Sequence, residues 1–135
     1  MRIAVTGGRN FADTRLAARV LTGLHPGAVL VHGQAGGADS VCSIWWRQHG
    51  RPVDPHPADW EGPCRSACTP GHRRRKAGGQ GTFCPAAGVY RNQDMVDTGL
   101  DLLIAFAGGT GTADMITRSR AAGVPVLVVT WVPVS

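Results

Sequence analysis

Short apolar runs alternate along this chain with longer stretches in which apolar residues recur every three or four positions. Ile3-Ala4-Val5 and the runs at 28–31, 102–106 and 125–130 are strand-length and bounded by turn residues. Between them, Leu16, Val20 and Leu24 share one helical face that stops near Gly23 or Pro26. Val41, Ile44 and Trp45 are expected to line a second helix, closed by Gly50 ahead of Pro52. Met95 and Val96 mark a third helix around 89–99, and a fourth runs over about 112–122 to Gly123. The proline-rich stretch 52–57 reads as a short edge strand, because proline cannot donate to a ladder.

Strand, glycine turn, helix is the repeated grammar of βαβ units. The chain is therefore expected to be an α/β protein, a Rossmann-like open parallel sheet of about five strands. Their order is 3-2-1-4-5, with right-handed crossovers and helices on both faces. One domain is expected over 1–135, with an insert at 61–88. That insert holds Gly62-Pro63, Pro70-Gly71, Gly78-Gly79 and Pro85 and shows neither helical nor strand period.

The glycines, 19 in all, cluster where strands turn into helices. The three clusters are Gly7-Gly8-Arg9, Gly33-Gln34-Ala35-Gly36-Gly37-Ala38-Asp39, and Gly108-Gly109-Thr110-Gly111-Thr112. In an open parallel sheet a ligand sits beyond the carboxyl ends of the strands, where strand order reverses. Glycine admits close approach of an anion to backbone N–H groups at a helix N-terminus. Thr110 and Thr112 add hydroxyls, and Arg9 a guanidinium suited to bidentate phosphate contact. Neither the Gly-x-x-x-x-Gly-Lys phosphate loop nor the Gly-x-Gly-x-x-Gly fingerprint is present, which disfavours an ordinary NTPase or dehydrogenase.

Net charge changes this picture only locally. Setting aside Arg65, Arg73, Arg74, Arg75 and Lys76 leaves nine basic against nine acidic residues, so the +5 charge belongs to the insert. No apolar run is long enough to span a bilayer, and the start of the chain lacks the order of a signal peptide. The expected setting is cytoplasmic, without a membrane partner. Within the insert, Cys64, Cys68, His72 and Cys84 carry the ligand types of a structural zinc site. Zinc would also explain how a segment with little apolar content becomes ordered. A disordered basic loop or a redox-sensitive one is the alternative; Cys42 reads as a core residue and His56 as a weaker ligand.

Five ordered motifs carry a family resemblance: Val5-Thr6-Gly7-Gly8-Arg9, His32-Gly33 with Gly36-Gly37-Ala38-Asp39, Ala58-Asp59-Trp60, Tyr90-Arg91-Asn92-Gln93-Asp94-Met95, and Gly108-Gly109-Thr110-Gly111-Thr112-Ala113-Asp114-Met115. Together they resemble the YspA-type, cpYpsA-related branch of the SLOG superfamily, over nearly the whole chain. The resemblance implies a Rossmann-like domain that binds a nucleotide or nucleotide-derived ligand, which among relatives includes NAD-derived signals. Distant relatives are the LOG phosphoribohydrolases and DprA. LOG enzymes carry Pro-Gly-Gly-x-Gly-Thr-x-x-Glu and an Arg-Lys-x-x-Met helix. Here Ala107 stands for the Pro, Met115 for the Glu and Asn92 for the Lys, while Arg91 matches the Arg.

The leading expectation is thus a nucleotide-ligand binder, acting as sensor or sequestering protein. Its ligand-binding set is Gly7, Gly8, Arg9, Gly33, Gly36, Gly37, Asp39, Trp60, Arg91, Asn92, Gly108, Gly109, Thr110, Gly111 and Thr112. Trp60 either stacks on a base or packs the edge strand. The alternative is an N-glycosidic nucleotide hydrolase using Arg91 with Asp114 or Asp39; Asp59 is a further acidic candidate. A nucleic-acid partner bound through Arg73 to Lys76 ranks last, for want of interleaved aromatics. Trp45 and Trp46 on one helix leave a homo-oligomer open.

Overall fold

The computed structural model describes residues 1–130; residues 131–135 of the domain expected over 1–135 lie outside the described residues. Five strands form one parallel sheet: β1 (Arg2–Thr6), β2 (Val29–His32), β3 (Val53–Pro55), β6 (Leu102–Ala105) and β7 (Val126–Val128). Their spatial order β3-β2-β1-β6-β7 is the expected 3-2-1-4-5, because β4 (Arg74–Arg75) and β5 (Thr82–Phe83) pair separately in the insert. Ile3 stands opposite both Leu30 and Leu102, so the central strand is flanked by apolar partners on each side. Among the described residues no helix is long and apolar enough to cross a membrane.

Alternation along the strands makes two apolar layers. Ile3, Val5, Leu30, Ile104 and Phe106 pack with Ala17 and Leu21 of α1 (Thr14–Thr22) and with Ala38, Cys42 and Trp46 of α2 (Ala38–Gln48). Ala4, Val31 and Leu103 pack on the other face with Met95 and Val96 of α3 (Ala87–Asp97) and Met115 of α4 (Thr110–Ala121). Cys42 is a core residue, its thiol pushed up to about 12 by burial and then by Asp39.

Three expectations need correction. The buried face of α2 is turned by one position: Ile44 is 55% exposed, while Trp46 is fully buried and its Nε1 donates to Pro52 O at 2.8 Å. Trp46 has the larger apolar body and a reachable carbonyl, so it takes the core position. Trp45 is half-buried, stacked on His49 at 3.8 Å with the Arg51 guanidinium 5.0 Å from its ring. The last strand ends at Val128, short of 130. The insert is not wholly irregular, since Arg74–Arg75 and Thr82–Phe83 form a small antiparallel pair.

At the carboxyl edge of the sheet, the three glycine turns are laced together. Gly8 N donates to Ala107 O at 2.8 Å, and Gly8 O accepts from Ala38 N and Phe11 N, each at 3.2 Å. A Cβ on Gly7 would lie 2.5 Å from the Ala38 Cβ, and one on Gly108 would lie 2.7 Å from Gly8 N. Gly37 combines a left-handed φ of 74° with a Cβ position 2.0 Å from Gly8 O. Gly36, beside it, has open space where its Cβ would be. Gly37→Ala should therefore lower stability by at least about 2 kcal/mol, whereas Gly36→Ala should stay within about 1 kcal/mol of the parent. Urea denaturation of the two variants reads the contrast.

Candidate functional site

The laced turns floor a cleft of about 780 Å³, within the range of roughly 300–1,000 Å³ typical of small-molecule sites. Gly7, Gly8 and Arg9 line it from β1, and Gly33, Gly36 and Asp39 from the β2–α2 turn. Trp60 lines it from the segment after β3, Arg91 and Asn92 from α3, and Gly109, Thr110, Gly111 and Thr112 from the β6–α4 turn. Gly37 and Gly108 do not reach the lining; the contacts that exclude a Cβ there are to Gly8, Arg9 and Thr112. Asp114 is outside the lining as well, held by Arg118 Nε at 2.9 Å and Asn92 Nδ2 at 3.0 Å. Asp59 also stays out, its Oδ1 accepting from Gly62 N at 3.1 Å.

Arg91 crosses the cleft wall over Gly33. Its Nη1 donates to Gly33 O at 2.5 Å, and its Nε to Asn92 Oδ1 at 3.0 Å. A Cβ on Gly33 would sit 2.2 Å from that Nη1, so this glycine makes room for an arginine. Burial pulls the Arg91 guanidinium below its ordinary pKa, partly offset by Asp39 and reinforced by Arg9. Asp39 Oδ2 accepts from Gly33 N at 2.8 Å and Ala35 N at 3.4 Å, which fixes the turn it follows. Burial pushes the Asp39 carboxyl up, against those two N–H bonds and the Arg91 charge. Asn92 Nδ2 also donates to Gly111 O at 3.3 Å, tying α3 to the first turn of α4.

Helix capping separates the elements that face the cleft from the one that does not. On α1, the Asp13 side chain caps in the usual way, accepting from Leu16 N at 3.0 Å. The N-caps of α2 and α4 are Gly37 and Gly109, with no side-chain cap bond on either helix. The first turn of α4 thus lines the cleft with its N–H groups uncapped by any side chain, and the Thr112 hydroxyl there is buried without a partner among the described residues.

Several lining residues lie outside the set expected from the sequence. Gln34 adopts a left-handed φ of 55°, the one non-glycine to do so among the described residues; its N–H donates to His32 Nδ1 at 3.1 Å. Gly88 leaves room for Trp60, whose Cη2 would be 3.1 Å from a Cβ there. Gly88 falls just ahead of the helix expected over 89–99 and enters α3 because that helix begins at Ala87, while the position of Gln34 in the Gly33 cluster was its visible clue. Met95 and Met115 close the floor from α3 and α4.

The insert brings Cys64, Cys68, His72 and Cys84 together, with one donor atom from each inside 4.8 Å. Ligands bound tetrahedrally at about 2.3 Å (sulfur) and 2.0 Å (nitrogen) stand roughly 3.5–3.8 Å apart. The observed separations are 3.8 Å between the Cys68 and Cys84 sulfurs and 3.5 Å from Cys84 Sγ to His72 Nε2. Cys64 Sγ lies 3.0 Å from the same nitrogen. This group could hold a metal ion. His56 is not part of it and pairs with Asp54 Oδ2 at 2.9 Å.

The basic run is spent largely within the insert. Arg73 donates to Gly62 O at 2.7 Å and Thr82 Oγ1 at 3.0 Å, Lys76 pairs with Glu61, and Arg65 pairs with Asp94 at 2.7 Å. Arg74 and Arg75 remain exposed.

Comparison with known proteins agrees with this architecture. The sequence model of the YspA, cpYpsA-related SLOG family matches residues 1–62. The Gene 61 protein of Mycobacterium phage D29 is 35% identical over 137 residues, covering 93% of this chain and 94% of that protein. The X-ray structure of TM1055, a structural-genomics target, superposes with a TM-score of 0.62 at 18% identity. It covers 93% of this chain and 71% of TM1055, a likeness of fold.

His32, at the end of β2 and outside the lining, supplies a pH test of the turn that carries Gln34. It is 1% exposed, accepts at Nδ1 and leaves Nε2 without a partner; burial, then Arg47, pulls its pKa down to about 4. The unfolded chain therefore binds a proton at His32 before the folded one does. Stability from this group is complete above about pH 6.5 and is lost as pH falls toward 4, by about 3 kcal/mol in all. Urea midpoints measured across that window should show a shallower slope for His32→Gln than for the parent.

Proposed function

Since the chain belongs to the YspA, cpYpsA-related SLOG family, we propose that its cleft binds a nucleotide or nucleotide-derived ligand through the ligand's phosphate. In this reading residues 1–135 act as one ligand-binding domain, with 61–88 as its insert. The phosphate rests on the N–H groups of Gly109, Thr110 and Gly111, with Thr112 lining the turn beneath them. Arg9 and Arg91 supply the countercharge, Gly7, Gly8, Gly33 and Gly36 give backbone access, and Trp60 faces the base. Asn92 and Asp39 hold Arg91 and the β2–α2 turn in place, while Gly37 and Gly108 allow the turns to meet behind the lining.

One observation carries this reading. Gly36 and Gly111 border the cleft, yet a Cβ on either would meet nothing within 4 Å, and neither has a left-handed φ. The fold has no steric need of glycine there, and in α4 glycine costs up to about 1 kcal/mol relative to alanine. An occupant that touches the backbone does need it. Binding without turnover is favoured over N-glycosidic hydrolysis, because the Asp114 carboxylate is engaged by Arg118 and Asn92 outside the lining.

Isothermal calorimetry with AMP and ADP-ribose tests the reading. Gly36→Ala and Gly111→Ala should each weaken binding by about tenfold or more, while Gly111→Ala leaves the protein as stable as the parent or up to about 1 kcal/mol more so. Equal affinity in both variants and in Arg91→Gln would sink the assignment. Release of free base from AMP would instead favour the hydrolase.

Zinc is the metal proposed for Cys64, Cys68, His72 and Cys84, since three thiolates and an imidazole form a closed set of borderline-soft donors. Native mass spectrometry should find one zinc per chain, lost in Cys68→Ser. A chain of bare mass, unchanged on adding zinc, would overturn it.

A further inference from the structure

The insert has no core of its own. Between Glu61 and Phe83 no residue is buried, and its two strands are two residues each, too short to hold a hairpin unaided. Its other internal ties are the exposed Lys76–Glu61 pair, the bonds from Arg73 and short backbone turns such as Lys76 N to Gly81 O at 3.0 Å. Beside the exposed Arg65–Asp94 pair, the Cys64–Cys68–His72–Cys84 group is what fastens this loop to the body of the protein.

Each fastening reaches the cleft wall. The chain leaves the wall at Trp60 and returns to it at Pro85, and Cys84 N donates to Trp60 O at 2.8 Å where the two ends meet. Phe83, beside Cys84, meets the Trp60 ring edge-on at 6.3 Å. Cys68 Sγ lies 3.0 Å from the Tyr90 hydroxyl, and Tyr90 immediately precedes Arg91. Arg73 joins Cys64 Sγ, at 3.6 Å, to Gly62 O, at 2.7 Å. Trp60 itself is 37% exposed, lying against Gly88 on one side and the cleft on another.

The geometry points to a metal-gated wall: zinc in the Cys64–Cys68–His72–Cys84 site holds Trp60 and the start of α3 in place, so metal binding and ligand binding at the cleft are coupled. Closing the loop between Trp60 and Cys84 restricts a segment otherwise held by exposed ion pairs and the bonds from Arg73. A Trp60 side chain held in advance presents its indole face to a planar ring without further ordering on binding. Coupling of this kind is reciprocal, so the ligand raises zinc affinity by the factor by which zinc raises ligand affinity. The inference rests on the reading of the cleft as a nucleotide site, but its structural half does not depend on any ligand.

Amide hydrogen exchange of the full chain, zinc-loaded and after chelation, tests that half. Removing zinc should deprotect 58–62 and 84–91 while β1, β2 and β6 keep their protection. Unchanged protection of the wall overturns the inference, and so does loss of protection throughout the sheet, which would make zinc a support of the whole fold. AMP titrations of the same two samples test the coupling: affinity should fall about tenfold without zinc, and equal affinity in both overturns it. In zinc-loaded Trp60→Ala, AMP should bind more weakly while ribose 5-phosphate binds as it does to the parent. Failure of AMP to bind either sample would remove the nucleotide reading and the coupling with it, leaving exchange to decide whether zinc builds the wall.

Discussion

Everything at the functional edge of this protein hangs on the backbone of Gly8. Its N–H holds the β6–α4 turn through Ala107 O, and its carbonyl receives the first amide of α2. Three segments far apart in sequence thus meet at one peptide, with glycines at 7, 37 and 108 removing the atoms that would keep them apart. Backbone groups buried away from water require partners, so the turns cannot separate without orphaning several at once. The N-termini of α2 and α4 are consequently fixed relative to each other before any ligand arrives. A site built this way loses little freedom on binding.

That rigidity governs the charges above it. Arg91 is half-desolvated and held on the Gly33 carbonyl, which places a cation at the wall but commits one of its nitrogens. Arg9 is exposed at the lip. The pair therefore divides the work between a fixed charge and an adaptable one, a pattern suited to holding an anion. Among the described residues Asp39 is the only carboxylate in the lining, and one of its oxygens is already taken by two backbone amides. Its raised pKa follows from burial and fits a structural role as readily as a chemical one.

The hydrophobic pattern was enough to read the sheet order and the placement of the cleft, because strand periodicity and glycine position are local properties. The purpose of each glycine was not legible. Gly33 answers to Arg91 and Gly108 to Gly8 and Thr112, and no window of sequence holds Gly33 with Arg91, or Gly8 with Gly108. The phase of α2 misled for a related reason: Ile44 and Trp46 are both apolar, and a carbonyl at Pro52 chose between them. The Gln34 conformation is imposed by the turn around it and leaves no compositional trace. Cysteine and histidine are different, since the ligand types themselves announce the chemistry, whatever the intervening chain does.

The insert's basic residues, which first direct attention to nucleic acid, find another explanation beside the cluster. On the zinc reading, three thiolates around a doubly charged ion would leave net negative charge on a partly buried centre. Arg73 donates toward Cys64 Sγ at 3.6 Å, and Arg65 lies 4.8 Å from the ring of Tyr90, whose hydroxyl meets Cys68. Cations placed there offset the thiolate charge and orient its ligands from outside, as supporting residues of metal sites commonly do. Read as counter-charge, Arg65 and Arg73 belong to the same structure as the cysteines they surround. Lys76 is paired with Glu61, and Arg74 and Arg75 stay exposed, so the thiols account for two of the five basic residues of the segment.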